Sequence, residues 1–532
     1  MFNMKVSKIF LSGILACMCA CNCTTDKPEE NTGTPVPPAQ EEKPEVVIKD
    51  VVAYVTTSDS KQQFAKTSFD FAKPGSMSPN QVTYDKTSLA AEPVDGFGLA
   101  VTTAAAYNLL KMAPADRTAF LEETFSREKG AGMSLIRVAI GASDFCLADN
   151  YTWCDTPGLE NFAVHSEDAT YLFPVLKEIY AINPDVKIIG SPWSCPQWMK
   201  ANMPGGNSWD VSKFNVPVTD ETTYKSWTGG RLKPSCYDDY AEYFVKWIQT
   251  MEKEGFDILG ITMQNEPLNP GNSMSLVMPW QDQKEFVKVL GPAMDKAGLA
   301  DVEILLFDHN FNYDNKEGQD NYPLNIYADA EAYKWADGSA WHNYGGSVTE
   351  LSEIYKTYPE KKIYFTEASI GTWIGGYEDR WDFNFLSNCV VPDFSTMFLG
   401  VLARGGRGSV LWNLMLDDKK GPYSMHDGSC KTCYGAVTIN SGDYKTIVKN
   451  SHWFDCAHAS VALKPGARKM AHKSFTLPSG IELQMYLNPD NTVGALICNN
   501  SGKEQDFVFA STKHTVKYKV PAKSIASLLW QE

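Results

Sequence analysis

The stretch ILGITMQNEPLN, residues 258–269, decides the fold. Ile258 to Met263 reads as a buried strand, apolar and uninterrupted. It turns polar at once with Gln264, Asn265 and Glu266, and Pro267 forbids the run from continuing. A rigid apolar run that ends on an amide beside a carboxyl has the pattern of a strand whose tip does chemistry.

Seven further runs of this kind flank it: GFGLA (96–100), SLIRVAI (134–140), VKIIGSPW (186–193), VEILLFD (302–308), SAWHNY (339–344), KIYFTE (362–367) and SVLWNL (409–414). Helical patterns fall between most of them. In YDDYAEYFVKWIQTMEKEG, Tyr240, Tyr243, Phe244, Trp247, Ile248 and Met251 recur at three- and four-residue steps, with Gly255 as the stop. QDQKEFVKVLGPAMDKAG behaves similarly, but Pro292 is expected to bend or split it. Eight strands alternating with helices predict an α/β fold, a (β/α)8 TIM barrel, over residues 95–450. A doubly wound open sheet fits less well, because no GxGxxG opens a helix.

The flanks read as antiparallel sheet. VVIKDVVAYVTT (46–57) precedes the barrel, and after 460 Ile481, Leu483, Met485 and Leu487 alternate, followed by VGALICN, QDFVFAS and HTVKYKV. One side β-sandwich built from residues 46–94 and 451–532 is the simplest arrangement.

The first 45 residues concern address rather than fold. Lys5 and Lys8 precede an apolar stretch, Ile9 to Ala20, too short to span a bilayer. It ends in LACMCACNC, which resembles a bacterial lipoprotein signal over residues 1–21, with Cys17 or Cys21 lipidated; an ordinary secretory signal is the alternative. Residues 22–45, rich in Pro, Glu and Thr, read as a flexible tether. The expected location is outside the cytoplasm: lipid-anchored at a bacterial outer membrane or cell surface, otherwise periplasmic or secreted.

The 532 residues carry 48 Lys and Arg against 64 Asp and Glu, a net charge of −16. That surface argues against nucleic acid and anionic membrane as partners. Eight histidines with no HxH or HExxH argue against a histidine-built metal centre. No metal and no cofactor are expected, and the protein is expected to be a monomer. Of thirteen cysteines, nine lie between 146 and 498, an odd number. Cys430 and Cys433 in GSCKTCYG are a disulfide, half a metal site or two loop thiols, with metal the weakest reading. Cys146 and Cys154 are another possible pair.

In a barrel the active site forms at the carboxyl ends of the strands. The polar and aromatic residues there are Arg137, Asp144, Trp193, Asn265, Glu266, His342, Tyr344, Glu367, Trp412 and Asn413. Glu266 ends the fourth strand and Glu367 the seventh, on roughly opposite sides. Either alone could merely pair with an arginine. Together, among aromatics, they read as a carboxylate pair for glycoside cleavage, one protonating the departing oxygen and the other attacking the anomeric carbon. Arg137 is the candidate cation beside the nucleophile, and Asn265 the candidate donor to the neighbouring sugar hydroxyl. Trp373 and Trp381, after the seventh strand, are weaker sugar-contact candidates.

SPWSCPQWMK, MQNEPLN, WHNYGG and FTEASIG, in this order, resemble glycoside hydrolase family 30, from about residue 95 to the C-terminus. The resemblance implies Glu266 as acid/base and Glu367 as nucleophile. It also implies that Arg137, Asp144, Trp193, Asn265, His342, Tyr344 and Trp412 line the first sugar subsite. Asn343 departs from the glucosylceramidase branch, which has an aromatic residue there. The last barrel loop, HDGSCKTCYGAVTIN, looks like the branch of microbial β-1,6-glucanases. The expected function is therefore a retaining endo-β-1,6-glucanase acting on a β-linked glucan or glucoside. A glucosylceramidase-like β-glucosidase or β-xylosidase is the alternative, and a non-catalytic surface glycan-binding lipoprotein is the alternative of another class.

Overall fold

The computed structural model describes residues 51–147, 149–374, 383–474 and 477–532. The signal, the tether and Trp381 lie outside the described residues.

Eight parallel strands make the barrel: Gly96–Leu99, Leu135–Ala139, Lys187–Ser191, Asp257–Thr262, Glu303–Asn310, Gly338–His342, Lys362–Glu367 and Gly406–Leu411. Neighbours in sequence are neighbours in the sheet, and the eighth strand pairs with the first, Gly408 opposite Gly96. The circle closes between first and second strands through an Ala100–Arg137 bridge and a bond from the Val101 N–H to the Arg137 carbonyl, 2.9 Å. The last strand begins and ends earlier than its apolar run implied, so Trp412 and Asn413 stand beyond its tip.

Period-two alternation fills the barrel. Leu135, Ile189, Leu259, Leu305, Ala340, Tyr364 and Val410 form one apolar layer across its interior. The larger cluster lies outside it, between strands and helices. The helix Tyr237–Lys253 turns Tyr240, Tyr243, Phe244, Trp247, Ile248 and Met251 inward, and Gly255 follows at φ 95°. The helix Trp280–Lys296 runs unbroken through Pro292, against expectation. Phe286, Val287, Leu290 and Met294 pack on both sides of the proline, and that burial outweighs the backbone bond it removes.

Both chain ends build one nine-stranded sheet. Val51–Thr57 lies between Ala65–Phe69 and the final strand Ser524–Gln531, with Val52 opposite Leu529. Asn80–Pro93 pairs antiparallel with Arg468–Ser474 and parallel with Gln505–Ala510. Val51, Val55, Val82, Met485, Phe507 and Trp530 belong to the core of this second unit. The helix Ser451–Ala462 corrects the boundary at 450. Its Cys456 and Ser460 bond the carbonyls of Gly98 and Phe97 in the first barrel strand, while His458 bonds Thr56 and Ser527 of the sheet. It is the last barrel helix and the seam between the two units.

Cys430 and Cys433 form a disulfide. Cys146 and Cys154 are separate buried thiols, so that pairing is excluded.

Candidate active site

Above the apolar layer the barrel interior turns ionic. Asp308 is fully buried and accepts five bonds: from Arg137 Nη2 (2.8 Å), Ser191 Oγ (2.6 Å), Thr262 Oγ1 (2.7 Å), Thr366 Oγ1 (2.7 Å) and His342 Nε2 (3.0 Å). The five donors come from five strands and Asp308 from a sixth, so one carboxylate gathers most of the barrel. Burial alone would raise its pKa, but the Arg137 and His342 charges hold it far below the usual carboxylate range.

Period two from Leu305 aims Phe307 inward and Asp308 outward. The chain reverses this with a bulge between Phe307 and His309, where Phe307 and Asp308 take φ of 69° and 74°. Phe307 then packs outside against Tyr322 and Trp341, and Asp308 turns to the axis. The signal available in the sequence was an aspartate closing an apolar run. That signal marks a strand end and does not by itself mark a site residue.

The two glutamates meet on this ionic floor. An oxygen of each lies within 4.8 Å of the other, with a His342 nitrogen inside the same limit. Arg137 Nη1 donates to Glu367 Oε2 at 2.5 Å, and the Tyr344 hydroxyl to Glu367 Oε1 at 3.1 Å. Glu266, at φ 46°, is held by its own N–H on the Asp308 carbonyl (3.0 Å). Its Oε2 accepts the side-chain amides of Asn269 (2.8 Å) and Asn272 (2.6 Å), and its Oε1 faces His342 Nδ1 at 3.3 Å. Asn269, Asn272 and His309 were not among the sequence candidates; they surround a residue that was.

The cavity holding the pair measures about 260 Å³. Asp144, Trp193, Tyr344 and Trp412 border it, together with Trp373 and both cysteines of the disulfide. Burial and then the two glutamate anions push Asp144 well up, and its Oδ1 has no partner in the protein. Trp193 and Trp412 stack on each other at 4.9 Å, and the Arg137 guanidinium lies 5.0 and 5.5 Å from their rings. Tyr344 is 42% exposed, yet its hydroxyl end is tucked against Glu367 and Ser369.

Arg137, Asn265 and His342 stand behind the wall instead of on it. Both His342 nitrogens are engaged by carboxylates, and Asn265 Oδ1 accepts from Arg137 Nη2 (2.8 Å). The Arg137 Nη atoms and both His342 nitrogens face partners inside the protein, while Arg137 Nε has none. Glu266, His342 and Glu367 also have the spacing of a metal-ligand trio. Arg137, in contact with Glu367, and an imidazolium at His342, raised to about 9, supply the positive charge a cation would bring.

The balance of charge on the pair follows from its neighbours. Burial would raise Glu266, but His309, His342 and the Asn269 amide hold it low, at about 2; burial raises Glu367 against the pull of His342 and Arg137. Taken alone these directions put the proton on Glu367. Coupled carboxyls share their protons, however, and two contacts decide the arrangement at neutral pH. Burial pushes His309 below its ordinary 6.5, so its hold on the Glu266 anion is absent there. Arg137 stays charged at every pH and touches Glu367 directly. That contact favours the anion on Glu367, against the His342 imidazolium that faces Glu266 at 3.3 Å.

Asn269 and Asn272 favour the ionised form of Glu266, so removing them must raise its pKa. The double variant Asn269→Ala/Asn272→Ala is expected to move the basic limb of the kcat/KM profile upward by about 1 pH unit or more, since a bond to a charged group is worth about 1.5–3 kcal/mol. An unmoved basic limb would exclude Glu266 as the titrating acid.

The chain matches the glycosyl hydrolase family 30 TIM-barrel domain over residues 94–460 and the family's β-sandwich domain over 466–528. It is 31% identical to endo-1,6-beta-D-glucanase neg1 of Aspergillus fumigatus, over 86% of this chain and 88% of that protein. It is 24% identical to the lysosomal acid glucosylceramidase of Mus musculus, over 83% and 81%. Among solved structures it resembles the endo-beta1,6-glucanase BT3312, with a TM-score of 0.83 and 45% identity over 91% of this chain and all of that one.

Proposed function

The chain belongs to glycosyl hydrolase family 30, and from that membership we propose that it is a retaining endo-β-1,6-glucanase. The observation that carries the reading is the approach of Glu266 and Glu367 to within 4.8 Å, with only Glu367 in contact with a permanent cation. Double displacement needs two carboxyls this close, because one must bond the anomeric carbon while the other protonates the leaving oxygen. Glu367 attacks, held anionic by Arg137 and aimed by Tyr344. Glu266 delivers its proton to the departing sugar, and then takes one from the water that releases the glycosyl-enzyme. The Asp144 carboxyl, with an unpartnered oxygen in the cavity, is placed to bond a hydroxyl of the ring being cleaved.

The β-1,6 linkage is supported by the endo-1,6-glucanases among the relatives and by the disulfide loop. That loop is fastened to the site at two points. Cys433 pairs with Gly371 just beyond the nucleophile strand, and Cys430 borders the catalytic cavity together with Asp144.

The deciding experiment is a product profile on β-1,6-glucan, β-1,3-glucan and aryl β-glucosides. Oligosaccharides of several lengths from the β-1,6-glucan alone are expected. Glucose alone would mean cleavage from chain ends, and no reducing ends from any glycan would leave a binding protein. For the roles, Glu266→Ala should lose on the order of 10²–10⁴ in rate on β-1,6-glucan and far less on dinitrophenyl β-glucoside, whose leaving group needs no proton. Equal losses on both would remove the acid assignment.

We also propose that the protein acts outside the cytoplasm as a lipid-anchored monomer. Support comes from the signal-like run and the Pro-rich tether in the sequence. Radiolabelled palmitate incorporated by the full chain and lost on Cys21→Ser, or on Cys17→Ser, tests it; no label on the unmodified chain, or label kept in both variants, would reject the anchor.

A further inference from the structure

A cavity of about 320 Å³ lies at the opposite end of the barrel from the glutamates, against the side sheet. Pro359, Glu360, Gly405 and Gly406 line it, and these stand at or before the starts of the seventh and eighth strands. None of its lining residues borders the catalytic cavity. Barrel active sites form at the carboxyl ends of the strands, so the cleavage has no use for this space.

Strand alternation furnishes two of its polar groups. Met470 and Met485 belong to the core of the side sheet, so their neighbours Lys469 and Tyr486 point the other way, toward the barrel. The two stand directly opposite each other in the ladder between Arg468–Ser474 and Ile481–Leu487. Tyr486 is 3% exposed, yet its hydroxyl bonds to no described residue. Lys469 Nζ makes one long bond, to the Leu402 carbonyl at 3.4 Å. Burial lowers its pKa, and no carboxylate among the described residues pairs with it. The other charges at the cavity are taken: Arg407 by Glu92 and Asp95, and Glu360 by the Tyr333 hydroxyl. A cavity that is only a packing gap is lined by apolar atoms. This one holds a hydroxyl and an ammonium short of partners.

The mouth supplies a ring contact. Tyr355 is 42% exposed and lies against Gly405, where an added Cβ would stand 2.4 Å from two of its ring carbons. The glycine thus seats an aromatic platform, and Val94 and Leu402 add apolar wall. An apolar space with a few convergent polar groups is the composition of a small-ligand site, and this volume is at the lower end of such sites. We infer that the cavity binds a small organic anion, a carboxylate carried on a six-membered ring. Lys469 pairs with the carboxylate, the Tyr486 hydroxyl donates to it, and Tyr355 covers the ring.

The test is calorimetric titration of the full chain with sodium benzoate and with sodium glucuronate, and with benzamide and glucose as their uncharged counterparts. At least one acid is expected to saturate with a Kd of about 1 mM or below, and its counterpart to bind about tenfold more weakly. Benzoate alone assigns an aryl acid, and glucuronate alone a sugar acid. Lys469→Met should weaken the acid by about tenfold or more, the worth of a bond to a charged group. Tyr486→Phe keeps the packing, removes only the hydroxyl and should weaken it by about fivefold. Both variants should keep the activity of the unmodified chain on β-1,6-glucan, since neither residue borders the catalytic cavity. Weakening in either variant at unchanged activity supports the site. Saturation by neither acid, equal binding of the uncharged counterparts, an affinity that survives both substitutions, or weakening matched by an equal loss of activity overturns it.

Discussion

Glu367→Gly is expected to abolish hydrolysis, with a fall on the order of 10⁴ or more, because no other group can form the covalent intermediate. Azide should then restore turnover of an activated aryl glucoside. The small anion fits where the carboxylate stood, beside Arg137, which remains anchored by its bond to Asp308. Attack from that face yields the α-glycosyl azide. Recovery of the β-azide would mean that the substituted residue was the acid/base, since azide would have entered from the opposite side. Product stereochemistry by NMR separates the two.

Asp308→Ala carries the second large effect, and it falls on stability. The carboxylate is fully buried between Arg137 and His342, so deleting it leaves two cationic side chains facing each other in the barrel. Breaking a buried pair by removing one partner costs about 3–5 kcal/mol. Burial alone would lower His342, but Glu367 and Asp308 raise it from 6.5 to about 9. A raised value in the fold means stability fully present below about pH 6.5 and lost as pH rises through about 9. Asp308's own depressed value contributes throughout that window, since it is lost only in acid. Urea midpoints should therefore differ more between wild type and variant at pH 6 than at pH 9.5. A pH-independent difference would show that the imidazolium is not part of the ionic floor.

The eight barrel strands were legible because each is a short apolar run cut off by a turn signal. Glu266 and Glu367 were legible because a carboxyl at the end of such a run has few bland explanations when two occur together. Asp308 was hidden by the bulge, which changes the phase of a strand without changing its composition. At His342 and Arg137 the sequence leaves open which partner each polar atom takes. Strand position places a side chain near the site but not its polar atoms, and here these turn to other carboxylates. The edge strand Ala65–Phe69 and the inner strand Arg468–Ser474 carry too many polar residues to stand out from loop. The seam helix was assigned to the wrong unit because it is buried on nearly every face, and such a helix carries no stripe pointing to one neighbour.

The strand Val51–Thr57 needs Ser524–Gln531 as its partner, so two segments far apart in the sequence complete each other. Nothing the ribosome has produced before the second of them can satisfy the inner edge of the first. The side sheet can close only once Ser524–Gln531 has been made, while barrel units are able to collapse in sequence.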